Sequence, residues 1–218
     1  MPVALASVAG VTFGAVLAAL ARRVRSGDPQ PPPWVGPLVA LGSGALFAGS
    51  IVDFRKDPFV GWFIGPFLAV LLVLGLIDLR RRLIPNAILY PAFGAAVLAV
   101  GIGAATGRHV DLTRAAAGMA LLGGVLLFAY LIRPSQMGFG DVKLAGLIGL
   151  GLGSQGLRYV AVAGVLGLLA GGLGGAALLL LGRARRSAFS YGPFLVAGAI
   201  AAAFGAPEIA QAYLSRFA

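Results

Sequence analysis

Pro58-Phe59-Val60-Gly61-Trp62-Phe63-Ile64-Gly65-Pro66-Phe67-Leu68-Ala69-Val70-Leu71-Leu72-Val73-Leu74-Gly75-Leu76-Ile77, followed at once by Asp78-Leu79-Arg80-Arg81-Arg82, is the stretch that decides the fold. From Pro58 to Ile77 there is no charge. A helix of about 20 apolar residues crosses a hydrocarbon core of about 30 Å, and a cluster of arginines at its end is an ordinary orientation signal. The rest of the chain repeats the pattern. Apolar runs lie near 2–20, 34–52, 58–77, 84–105, 115–132, 142–156, 157–181 and 189–206. The sixth is short and Gly-rich and runs into the seventh, as a half-span or a tilted helix would. The reading is an all-α, polytopic membrane protein of eight or seven transmembrane helices, one integral-membrane domain over residues 1–218.

Composition leads to the same class. Hydrophobic residues make up 59% of the 218 and charged residues 11%, where a soluble domain carries about a quarter charged residues. The 34 glycines suit lipid, where small residues let helix backbones approach and packing replaces the hydrophobic drive. The absence of cysteine and the single His109 exclude disulfides, cysteine-held zinc and a multi-histidine metal site. No cofactor is expected. The net charge of +10 does not point to nucleic acid, because the arginines sit in short clusters between apolar runs.

The first run, 2–20, has no basic residue before it and Arg22, Arg23 and Arg25 after it, so a retained helix is expected, not a cleaved signal. Asp28 to Pro33 reads as a stiff polar connector. With eight spans, 11 of the 17 basic residues fall on one side, among them Arg80–Arg82, Arg133, Lys143 and Arg183–Arg186, and six on the other. The richer side is expected to be cytoplasmic, with both termini outside.

Only seven residues are acidic: Asp28, Asp53, Asp57, Asp78, Asp111, Asp141 and Glu208. Asp28, Asp53, Asp57 and Asp111 sit in polar loops and Glu208 in a polar tail, where a solvated charge is the expected reading. Asp78 instead follows Val70–Ile77 directly, and Asp141 lies between apolar stretches in Met137-Gly138-Phe139-Gly140-Asp141-Val142-Lys143. A carboxylate there is costly unless used or paired. Taken singly, Asp78 reads as an ion pair with Arg80–Arg82 or a helix-end charge, and Asp141 as a helix N-cap. Taken together, they share one side and one depth and could meet. Two carboxylates held close share a proton, so one can activate water as a base while the other protonates a leaving amide. Gly138 and Gly140 would permit unusual backbone and leave room for a substrate beside Asp141. Lys143, two residues on, would point away from Asp141 and snorkel to headgroups, or else bias the pair's charge.

At these residues the chain resembles the type IV prepilin peptidases, the GxGD-type intramembrane aspartic proteases. The resemblance lies in Gly138-Phe139-Gly140-Asp141-Val142-Lys143-Leu144-Ala145, in Ile77-Asp78-Leu79-Arg80 running to Leu83-Ile84-Pro85-Asn86, and in Phe189-Ser190-Tyr191-Gly192-Pro193-Phe194-Leu195. It covers about residues 70–200 and implies that Asp78 and Asp141 are catalytic. It also implies substrates that are type IV prepilins or pseudopilins, cut at a short basic leader on the cytoplasmic face of a bacterial inner membrane. Many members carry two C-x-x-C pairs and a methyltransferase function after the first span. Ala21–Pro33 holds no cysteine, so a protease-only form is expected. Two other readings compete. Presenilin-like and signal-peptide-peptidase-like proteases usually have Tyr before the first aspartate and a Pro-Ala-Leu segment, neither of which occurs here. An ion- or proton-coupled transporter would place charges nearer mid-span and show an internal repeat.

Overall fold

The computed structural model describes residues 2–23, 35–54, 57–108, 110–134, 137–180 and 190–214. The connector Asp28–Pro33, His109, Arg55, Lys56, Phe189 and the basic loop Arg183–Arg186 lie outside the described residues. Those described form eight helices and no strand: α1 Pro2–Arg23, α2 Val35–Asp53, α3 Pro58–Arg81, α4 Asn86–Ala105, α5 Leu112–Ile132, α6 Phe139–Gly153, α7 Leu157–Leu180 and α8 Gly192–Leu214. Five of them, α2, α3, α4, α5 and α7, are long and apolar enough to cross a membrane. α1 and α8 carry shorter apolar stretches, Val3–Ala19 and Gly192–Pro207. Large apolar side chains cover the outside as well as the core: Leu98, Phe128, Leu131 and Leu173 are all exposed. In water such a surface would aggregate; against lipid it is solvated.

Helix starts follow local chemistry. Asp57 caps α3 by accepting the Phe59 N–H at 3.1 Å, with Pro58 at the first helical position, where its missing N–H costs nothing. Asp111 caps α5 by accepting the Arg114 N–H at 3.0 Å, and pairs with the Arg114 guanidinium at 3.1 Å. These two aspartates are structural caps and not simple solvated loop charges.

α6 is distinct from α7. Ser154 to Gly156 separate them, and Gly156 sits at φ +146°, a conformation that favours glycine. α6 has 15 residues, about 22 Å of helix. From Leu144 to Gly153 every residue is buried, so it is the central helix of the bundle. Its neighbours come close because glycines meet. A Cβ on Gly149 would run into the backbone of Gly118 on α5, and one on Gly151 into the ring of Phe67 on α3. α3 leans on α8 in the same way, with Gly75 under Val196.

Two of the boundaries that differ from the sequence expectation involve charged residues. α3 continues past Ile77 to Arg81 and is closed by Arg82, which takes a left-handed conformation (φ +49°) and donates its N–H to the Asp78 carbonyl at 2.8 Å. α8 runs on through Pro207 to Leu214, so Glu208 belongs to a helix and not to a polar tail. The arginines and the proline ended the apolar runs without ending the helices.

Candidate active site

One end of the bundle gathers the last turn of α3, the first turns of α4 and α6, and the short turn before α8. Asp78 lies within the last turn of α3, and Asp141 is the third residue of α6. Both are buried, at 3% and 4% exposure, which sets them apart from the capping aspartates.

Between them the two carboxylates reach three consecutive residues, Ser190 to Gly192, and they share Gly192. The Ser190 hydroxyl donates to Asp78 Oδ2, and the Gly192 amide donates to the Asp78 carboxylate as well. The amides of Tyr191 and Gly192 donate to Asp141. The Gly138 amide joins them, so that the carboxylate of the third helical residue reaches back to the residue before the helix, as in a capping box. Asp141 is therefore not the N-cap; Gly138 is. The start of α8 gives the site a ready set of N–H donors, which favour negative charge. The charge of Asp78 also bears directly on Asp141.

Gly192 makes this convergence possible. A Cβ there would overlap the Asp78 carboxylate, with Cγ at 3.0 Å and Cβ at 3.3 Å. Neither Ser190 nor Gly192 stood out as a site residue in the sequence. The stretch around them was noticed for its resemblance, but nothing local reveals a contact made across 112 residues.

The two glycines beside Asp141 behave differently from one another. Gly138 has ordinary extended backbone (φ −75°, ψ 138°), and among the described residues the only positive-φ glycines are Gly107 and Gly156. Unusual backbone at Gly138 and Gly140 is therefore not their role. A Cβ on Gly138 would meet nothing closer than 3.8 Å, so there is room at that position. A Cβ on Gly140 would lie 3.2 Å from the Cβ of Ile84. That space is filled by the turn between α3 and α4 and does not stand open to a substrate.

Lys143 turns away from Asp141 toward α4. Its Nζ donates to Asn86 Oδ1 at 3.2 Å and to Tyr90 Oη at 2.9 Å, and lies 4.9 Å from the Tyr90 ring centre and 5.2 Å from that of Phe139. It is held by protein at the start of α4. Among the described residues no group of three His, Asp or Glu side chains is placed to hold a metal ion.

The fold and this site define a multi-pass helical membrane protein with two buried carboxylates gathered at one end of its bundle. The model of the type IV leader peptidase family matches residues 66–217, which include both carboxylates and the turn that joins them, and the chain belongs to that family. It is similar to the prepilin leader peptidase/N-methyltransferase of Burkholderia pseudomallei (strain 1026b), 31% identical over 172 residues, which are 77% of this chain and 54% of that protein. It is also similar to the protein of the same description from Bacillus subtilis (strain 168), 32% identical over 152 residues, 68% of this chain and 57% of that one. The chain thus spans about half the length of the curated relatives it matches. No solved structure matches it.

Proposed function

We propose that the chain is an aspartic endopeptidase of the bacterial inner membrane that removes the short basic leader from type IV prepilins or pseudopilins at the cytoplasmic face. The observation that carries this reading is the convergence of Asp78 and Asp141 on Ser190–Gly192, inside the segment matched by the family. One carboxylate takes a proton from water as the water oxygen attacks the scissile carbonyl carbon. The other gives its proton to the amide nitrogen as the C–N bond breaks. The products are a carboxylate and an amine, and the pair returns to sharing one proton. Two carboxylates and water complete this chemistry without a cofactor. The names of the two relatives support a prepilin as substrate, and the room at Gly138 supports an extended backbone lying beside Asp141. The basic cluster Arg80–Arg82 supports a cytoplasmic site.

The deciding experiment is co-expression with a type IV pilin-like precursor, followed by mass spectrometry of its N-terminus. Loss of the leader is expected; an intact precursor beside a stably inserted chain would refute the reading. The same chain is proposed not to methylate the new N-terminus, since Ala21–Pro33 carries none of the C-x-x-C pairs of the longer members. Incubation with S-adenosylmethionine should then add no mass to the processed product.

A further inference from the structure

Lys143 sits two residues past Asp141 on α6, yet its charge is spent on the hairpin that carries Asp78. α3 ends at Arg81, Arg82 turns the chain, and α4 begins at Asn86, so Asp78 and the start of α4 belong to one corner. That corner meets the start of α6 in two places. Ile84 is seated against Gly140, where an added Cβ would come within 3.2 Å of it. Lys143 then spans the same junction with two hydrogen bonds, to Asn86 Oδ1 at 3.2 Å and Tyr90 Oη at 2.9 Å. Its ammonium also faces the rings of Tyr90 and Phe139, a favourable place for a cation. Phe139 packs in turn on Tyr130 of α5 at a tilt of 55°, with ring centres 5.3 Å apart. We propose that Lys143 is a positioning residue: a clasp that fixes the α3–α4 corner against the start of α6 and so sets the separation of the Asp78 and Asp141 carboxylates.

Two features make this more than a surface contact. The partners lie 57 and 53 residues away in sequence, so the contact joins elements that the chain itself leaves independent. The amide and hydroxyl accept from Nζ at different points of one helical turn, which fixes rotation as well as distance. A long flexible cation held at two points and over two rings has little freedom left.

The inference rests on the proposed protease reading only for its effect on catalysis; the geometric part is independent of it. The chain has no cysteine, which permits a direct test. Asp78 and Asp141 are both changed to Cys, and a short bis-thiol-reactive linker is applied to the full-length protein in membranes. The pair should cross-link, and adding Lys143→Met should cut the yield several-fold while Lys143→Arg restores most of it. A second pair at the far end of the bundle serves as control, Asp111→Cys with Ser154→Cys, where the Asp111 N–H bonds the Ser154 carbonyl at 3.0 Å. Its yield should not change. In the otherwise unaltered enzyme, Lys143→Met should lower kcat about tenfold with KM within twofold, and Lys143→Arg should recover it. If Lys143→Met leaves the yield of the Asp78→Cys, Asp141→Cys pair unchanged, the proposal is overturned. So would it be by a parent pair that does not cross-link, or by an equal loss at both ends of the bundle, which would mean general loosening. If the cross-link responds but Asp78→Asn still cleaves, the clasp stands and the catalytic reading falls.

Discussion

Two carboxylates among seven acidic residues stand out by position, and their scarcity made them visible. A charge at the end of an apolar run is costly enough to demand a reason. If they are the acid and base, Asp78→Asn and Asp141→Asn should each reduce prepilin cleavage by at least about 100-fold while the protein still inserts and accumulates. Asp57→Asn, which keeps the cap of α3, should leave cleavage near the parent level. Either Asn variant retaining full activity after purification would end the assignment. The turn before α8 makes a second demand. Gly192→Ala places a methyl group against the Asp78 carboxylate, which must shift, so it should abolish cleavage and lower the thermal midpoint in detergent while the protein still inserts. Sequence reading reached Asp78 and Asp141 but neither Ser190 nor Gly192, because a hydroxyl and a missing Cβ acquire meaning only from a partner brought near by folding. It also assigned Gly140 to substrate clearance, and the occupant of that space, Ile84, belongs to the turn between two other helices.

At the scale of the helices, hydropathy placed an apolar run on each of the eight described helices, of which five are long and apolar enough to cross lipid. Their ends were harder to read. Arg80 and Arg81 extend α3 because a helix end at a membrane surface accepts cations near its C-terminal carbonyls, and Pro207 is carried inside α8. What composition could only suggest, the packing makes specific: Gly118 and Gly149 face each other so closely that neither tolerates a side chain. Gly149→Val should therefore separate α5 from the central helix and cost about 3 kcal/mol. Gly101 has nothing within 4 Å of its missing Cβ, and Gly101→Ala should be neutral or stabilising by up to about 1 kcal/mol. Thermal unfolding of the two variants in one detergent would check both. Equal midpoints would mean that α5 and α6 are not held by that contact.

For the molecule as a whole, the contacts place the last turn of α3 and the first turns of α4, α6 and α8 at the same end, as alternating passes through one bilayer require. Which compartment that end faces is a matter of charge. The excess of basic residues on that side predicts that a cysteine at Arg82 resists an impermeant thiol reagent in intact cells, while one at Gly107, at the opposite end of α4, reacts. The reverse pattern would invert the molecule in the membrane. Labelling at Arg183–Arg186, outside the described residues, should follow Arg82.

The shortness of the central helix bears on how such a reaction obtains its second reactant. Hydrolysis consumes a water molecule at every cut, and a bilayer is the solvent least able to supply one. Fifteen residues give a rod of about 22 Å set within about 30 Å of hydrocarbon. Its first turn carries Asp141, buried among its neighbours. The helix is shorter than the hydrocarbon by about 8 Å. With both carboxylates enclosed by protein, water for a hydrolysis at that end would have to enter between the surrounding helices, so the shortfall in length would matter only through the packing around it.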